Sequence, residues 1–167
     1  VYEMLTCYLQ GGLGNQLCQI FATISYALTH KKKFSFIKRK RLDSKRNTYW
    51  DSFLSPLSRF TKDDVYRQYN IFKLSEIEFS YNELPYKAED NILLYGYFQS
   101  EKYFINHIDI IMLLIKLREQ KEDIRLKYMA GAGGTANMAS AGGTANMASI
   151  HFRLGDYNLL QDHHPIQ

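Results

Sequence analysis

The sequence predicts an α/β protein built on an open parallel sheet, and three observations carry that expectation. A short apolar run over residues 5–9 is followed at once by Gly11, Gly12 and Gly14. Residues 15–30 then set Leu17, Ile20, Phe21, Ile24 and Leu28 at spacings of three and four, the stripe of an amphipathic helix. Residues 32–39 read as a second strand, in which Phe34 and Phe36 alternate with Ser35 and share one face. Strand, glycine turn, helix and strand in this order open a parallel sheet, because parallel neighbours need a crossover between them.

The rest of the chain extends the pattern. Residues 43–87 are mixed and rich in Tyr and Phe, with Pro56 and Pro85 marking turns. Residues 92–98 read as another strand. A helix is expected to begin at Ser100 or Glu101, with Ser100 as its cap, and to run through Phe104 and Ile108. A further helix is expected over 110–128, where Ile111, Leu114, Ile115 and Leu117 form the apolar stripe. Residues 150–154 read as a final strand that ends in the turn Gly155-Asp156.

Composition bounds the possibilities. A chain of 167 residues gives a first expectation of one domain, and 46% hydrophobic against 23% charged residues suffices for a core and argues against disorder. No apolar run approaches the length of a membrane-spanning helix. Cys7 and Cys18 are too few for a disulfide scaffold and match no metal motif, which suits a reducing compartment. The chain starts at Val1 and ends at Gln167 without a capping pattern, so it reads as a piece of something longer.

The net charge of +4 is unevenly spread. Residues 31–46, with Lys31 first and Arg46 last, carry nine basic side chains and one acid, Asp43. That belt holds +8 and leaves −4 for the rest of the chain. A belt of this kind can serve a polyanion, an acidic membrane surface or a phosphorylated ligand; equally, it can be a solvated strand edge kept from pairing by its lysines. Aromatics are not interleaved in the manner of a single-strand binding platform, so nucleic acid is not the expected partner.

One segment is foreign to its surroundings. Residues 132–140 (AGGTANMAS) recur unchanged at 141–149, and no charged residue lies between Lys127 and Arg153. Two short Ala- and Gly-rich copies cannot bury a solenoid core, so the segment reads as a linker, an engineered filler or a recent duplication. It lacks the Lys-Ser/Thr ending of a phosphate-binding P-loop.

Three motifs carry chemistry. Gly11-Gly12-Leu13-Gly14-Asn15-Gln16 sits between a predicted strand and helix, where backbone N–H groups can meet an anion. It is not the dinucleotide pattern, whose third glycine would fall at Gln16, and it is equally explained as a tight turn with Asn15 as N-cap. His151-Phe152-Arg153-Leu154-Gly155-Asp156-Tyr157 lies at the carboxyl end of a predicted strand, where ligands bind in open α/β sheets. Alternation puts His151 and Arg153 on one side, and Arg153 offers a permanently charged fork to phosphate oxygens. A structural Arg153–Asp156 pair is the plainer alternative. The third motif, from Tyr95 through Gln99, Ser100 and Glu101 to Phe104, sets aromatics beside polar side chains suited to a sugar, or simply a core strand before a capped helix.

In combination, GGLGNQ, GYFQSEKYF and HFRLGDY followed by His164-Pro165 resemble the α-1,2-fucosyltransferases of glycosyltransferase family 11, in order and spacing, across nearly the whole chain apart from the repeat. The resemblance implies a Rossmann-like lobe of a two-lobed B-type glycosyltransferase. It implies GDP-fucose as donor, a galactose-terminated glycan as acceptor, inversion at the anomeric carbon and no required metal. It divides the chain into an acceptor-side lobe over 1–128, a linker over 129–149 and the start of a donor-binding lobe over 150–167. Arg153 would hold the donor diphosphate, flanked by His151 and Asp156, with Gly12, Gly14, Asn15 and Gln16 facing the nucleotide sugar. Glu101 and Asp156 are the candidates for general base. Cys18 stands where the family has an aromatic, and Leu154 replaces a second arginine. With little of the second lobe present, the chain alone is expected to be inactive or very weak. The alternative is a non-catalytic glycan- or polyanion-binding module that uses the basic belt, which also allows peripheral membrane contact. The Tyr-, Phe-, Ile- and Lys-rich composition suits a cytoplasmic enzyme better than a Golgi one.

Overall fold

The computed structural model describes residues 4–43, 45–63, 71–77 and 80–131, with side chains through residue 127. Among the described residues the order of strands and α-helices is β1 (Met4–Cys7), α1 (Leu13–Thr29), β2 (Phe36–Ile37), β3 (Thr61–Lys62), β4 (Phe72–Ser75), β5 (Asn91–Tyr95), α2 (Ile108–Leu114) and α3 (Leu117–Gly131). Short 3-10 helices cover Ser55–Phe60, Glu101–Tyr103 and Ile105–His107. The protein is therefore mixed α/β, with a small parallel sheet as the sequence predicts. The chain divides into a unit over 1–125 and a second over 126–167, of which only the end of α3 is described.

The main sheet has the order β1-β5-β4, every pair parallel, with Leu5 opposite Ile92 and Leu74 opposite Leu94. β2 pairs in parallel with β3. A parallel bridge between Leu5 and Phe34 extends the pairing on the other side of β1, through Leu5 N–H to Lys33 O (3.1 Å) and Ser35 N–H to Leu5 O (2.9 Å). The chain thus leaves β1 through α1 towards one side of it, then returns to build β4 and β5 on the other. This reversal between β1 and β5 is a topological switch point.

Burial follows from the register. Leu5, Cys7, Leu74, Ile92 and Leu94 share one sheet face and are buried. α1 packs on β1 and also meets α2 and the 3-10 helix Glu101–Tyr103, so every residue from Gln19 to Ala27 is buried rather than a single stripe. Phe21 meets Phe104 edge to face at 5.5 Å, and Ser25 Oγ lies 2.9 Å from His107 Nδ1. The same core continues through Phe36 and Trp50, stacked at 5.5 Å, to fully buried Leu54 and Leu57.

Four expectations need correction. The strand expected over 32–39 is a single bridge at Phe34 followed by two-residue β2, and Ser35 is buried along with Phe36. The strand expected to reach Phe98 stops at Tyr95, because Glu76 takes the N–H groups that would continue the ladder. The helix expected to run from Ser100 through Ile108 is broken into two 3-10 turns at Phe104, whose φ of −143° accompanies its packing on Phe21. Ser100 does cap the first of them, its hydroxyl accepting from Lys102 N–H at 3.4 Å. The single helix over 110–128 is two, α2 and α3, separated by Lys116 at φ +51°. The break leaves the Ile115 carbonyl without a helical donor, and the Gln120 amide supplies one at 2.6 Å. The strand expected over 150–154 and the duplicated segment lie outside the described residues.

Candidate functional site at the β1–β5 switch point

The glycine turn occupies the place where open α/β sheets bind ligands, beyond the carboxyl end of β1 and beside β5. Its glycines differ in physical role. Gly11 has φ +77°, and a Cβ there would run into the Asn15 side chain, with Asn15 Cβ at 2.9 Å. Its lack of a side chain is thus required by the turn itself. A Cβ at Gly12 or Gly14 would meet no atom within 4 Å, so neighbouring atoms do not demand glycine there. Their bare backbone faces open space into which a ligand can approach.

α1 begins two residues earlier than expected, at Leu13. Gly12, not Asn15, is its N-cap, with no side-chain cap bond, and its first turn carries no acidic residue. The helix therefore presents N–H groups that no carboxylate of its own first turn compensates. Asn15 is spared from capping and instead accepts a 2.7 Å hydrogen bond at Oδ1 from Gln99 Nε2. Gln16, fully buried, donates from Nε2 to Gly11 O and to Asn47 O, both at 3.0 Å. Gln19, also fully buried, accepts from Gln10 N–H at 3.0 Å. The two amides, about one helical turn apart, tie the loop to the helix from beneath.

The loop after β5 closes the other side. Glu76, directly after β4, accepts from the successive N–H groups of Tyr97 (2.7 Å) and Phe98 (3.0 Å). Two adjacent N–H groups pointing at one carboxylate form an anion nest, here filled by the protein's own side chain. The nest holds Phe98 at φ +52° with its ring fully buried. Gly96 is required at this point, because a Cβ would strike Glu76, whose Oε2 would lie 2.6 Å away. Gln10 Nε2 reaches Gly96 O at 3.4 Å, so the loops after β1 and β5 are joined twice.

Of the residues expected from sequence, the structure brings Asn15 of the first motif onto Gln99 of the third, and Gly12, Gly14 and Gln16 stand in the same turn. His151, Arg153 and Asp156 lie outside the described residues. Glu101 is exposed in the first turn of its 3-10 helix. Sequence reasoning missed Glu76, Gln10 and Gln19. Gly96, three residues before Gln99, is the only local sign that something approaches this loop closely. The basic belt is largely exposed, but Arg39 is drawn to Asp43 at 3.3 Å, and Lys32 Nζ donates to Glu89 O at 3.1 Å. Among the described residues no group of three His, Cys, Asp or Glu side chains could hold a metal ion, and no helix is long and apolar enough to cross a membrane.

No protein-family model, no curated protein and no solved structure matches the chain.

Proposed function

We propose that the chain is the Rossmann-like first lobe, with the opening of the second, of a two-lobed α-1,2-fucosyltransferase-like enzyme. In this reading it takes part in transfer of fucose from GDP-fucose to a galactose-terminated glycan, with inversion. One observation supports it above the others. The two motifs shared with that family, GGLGNQ and GYFQSEKYF, are far apart in the chain, yet the Asn15–Gln99 hydrogen bond of 2.7 Å, spanning 84 positions, joins them at the switch point. Their conjunction at the carboxyl ends of β1 and β5 is what a nucleotide-sugar site in this reading requires.

The chemistry such a reaction demands fits these residue types. As the glycosidic bond to the donor lengthens, the departing GDP gains negative charge. N–H groups at the start of α1 are suited to stabilise that charge, and the family resemblance assigns a guanidinium, that of Arg153, to the same task. In the sequence His151 and Asp156 flank Arg153; Gly12 and Gly14 leave the backbone of the turn bare, and Asn15 and Gln16 tie it down through their hydrogen bonds. The acceptor hydroxyl needs a general base, for which Glu101 and Asp156 are the candidates.

Titration of the 15N-labelled full chain with GDP-fucose, followed by amide NMR, tests the proposal. Saturable shifts are expected at residues 11–16 and 97–99, with Arg153→Ala weakening the binding by about tenfold, as for loss of a charge-assisted contact. Absence of shifts at those residues at millimolar donor overturns it.

A further inference from the structure

A concavity lies beside the carboxyl end of β1, with Leu93 of β5 in its wall. It is a cleft of about 310 Å³. This volume is at the lower end of the roughly 300–1,000 Å³ typical of small-molecule sites. Its walls include Leu9, Ile37, Leu42, Ile71 and Leu93, against which Tyr8, Arg39, Asp43 and Thr48 supply the polar groups. The arrangement is a mostly apolar cleft with a few convergent polar side chains.

Those polar groups are organised by one carboxylate. Asp43 accepts from Tyr8 Oη at 2.8 Å through Oδ2 and from Arg39 Nη1 at 3.3 Å through Oδ1. Thr48 is anchored by its hydroxyl to the backbone carbonyls of Arg39 and Lys40. The hairpin that carries them is closed by the Arg41–Asn47 bridge and by Leu42 N–H to Arg46 O at 2.8 Å. On the sheet side Tyr8 packs on Tyr95 at 5.3 Å, and Lys73 Nζ stands 3.6 Å from the Tyr95 ring centroid. A carboxylate oxygen carries more than one acceptor site, so Asp43 can receive further donors while it holds Tyr8 and Arg39. The exposed basic residues close to it in the chain, Lys38, Lys40, Arg41 and Lys45, disfavour a cationic donor. The remaining donors are neutral O–H and N–H groups, on a ligand whose overall charge is neutral or negative; of these we take the hydroxyls of a sugar. Apolar walls accept the C–H face of a ring.

We propose that the Tyr8–Arg39–Asp43–Thr48 cleft is a binding site for an anionic sugar. Its ring would lie on the aliphatic walls, its hydroxyls would donate to Asp43, and its acidic substituent would face Arg39 and the cationic rim. The polar residues of this site are not those of the glycine turn or of the loop after β5, and the proposal does not depend on the fucosyltransferase reading.

Amide NMR titration of the full chain with glucose 1-phosphate, glucuronic acid, glucose and inorganic phosphate tests it. Saturable shifts are expected at Tyr8, Leu9, Asp43 and Thr48 with glucose 1-phosphate or glucuronic acid; which of the two binds more tightly identifies phosphate or carboxylate as the acidic group. Glucose and inorganic phosphate are expected to bind at least about tenfold more weakly, each lacking one half of the recognition. Asp43→Asn is expected to weaken the acidic sugar by about tenfold and Tyr8→Phe several-fold, since the latter frees Asp43 from its orienting donor. Both changes are nearly isosteric, and unchanged spectra at Ile20, Ile24 and Leu94 verify the fold. Equal affinity for inorganic phosphate, or affinity indifferent to both variants and lost only with salt, overturns the proposal. Shifts at residues 11–16 and 97–99 without shifts at Tyr8 and Asp43 overturn it as well, while leaving the donor reading standing.

Discussion

Single residues separate requirements of folding from those left over for function. Gly11 is demanded by a positive φ and by the Asn15 side chain beside it. Gly14 sits inside α1 with open space around its would-be Cβ. Gly11→Ala is therefore expected to destabilise the chain by about 1–2 kcal/mol, whereas Gly14→Ala is expected to stabilise it by up to about 1 kcal/mol. Urea denaturation of the two variants reads both signs, and a Gly14→Ala chain that is more stable but binds GDP-fucose less well would mark the glycine as kept for a ligand. Cys7 makes a second residue-scale case. Full burial pushes its thiol from 9.0 up to about 12, opposed only in part by a hydrogen bond to Thr23. Below pH 9 the thiol is neutral in both the folded and the unfolded chain. Between pH 9 and about 12 the unfolded chain loses the proton and the folded one keeps it, so stability falls as pH rises across that window. Replacing Cys7 with Ser or Ala is expected to flatten this part of the stability–pH curve, measured by denaturation at stepped pH.

At the scale of elements, hydrophobic periodicity locates helices well and their ends poorly. The stripe of Ile111, Leu114, Ile115 and Leu117 is present, with Ile111 and Ile115 fully buried, yet it is split by the break between two helices. The turn at Lys116 accepts a left-handed backbone cost so that α2 can stay against α1 while the charged α3 follows another course. Lys116→Gly is expected to raise stability by up to about 1 kcal/mol by relieving that conformation, a gain readable as a higher thermal midpoint. β5 ends for a different reason. Glu76 captures the N–H groups of Tyr97 and Phe98, and this decides where strand becomes loop. Glu76→Ala leaves two part-buried donors without that acceptor and is expected to cost about 2–4 kcal/mol, with faster amide exchange at Tyr97 and Phe98 as its local signature.

For the whole molecule, charge and topology act together. The belt of +8 on a chain of net +4 is mostly exposed along the strand and hairpin that follow α1. Retention on a phosphate-bearing cation exchanger is expected to exceed that of a protein with the same net charge spread evenly. Changing Lys38, Lys40 and Arg41 to Gln together is expected to bring elution to lower salt. Much of the fold is legible in the order of residues. The parallel α/β class, the existence of β1, α1 and β5, and the turn glycines all follow from local pattern, because each depends on periodicity or on backbone freedom within a few residues. Asn15 as a cap follows from its neighbours alone, but α1 starts before it, with Gly12 as N-cap, and its side chain meets Gln99, 84 positions away. Glu76 carries no local mark either, since its role exists only once β4 and β5 are side by side. The amino-acid sequence by itself determined the class of fold, the turn and the uneven charge. Tertiary structure decided which strands are neighbours, where the helices break, and which distant polar side chains meet at the ends of β1 and β5. The physical reason is that hydrogen-bond partners and burial are set by contacts between segments far apart in the chain, which no local pattern encodes.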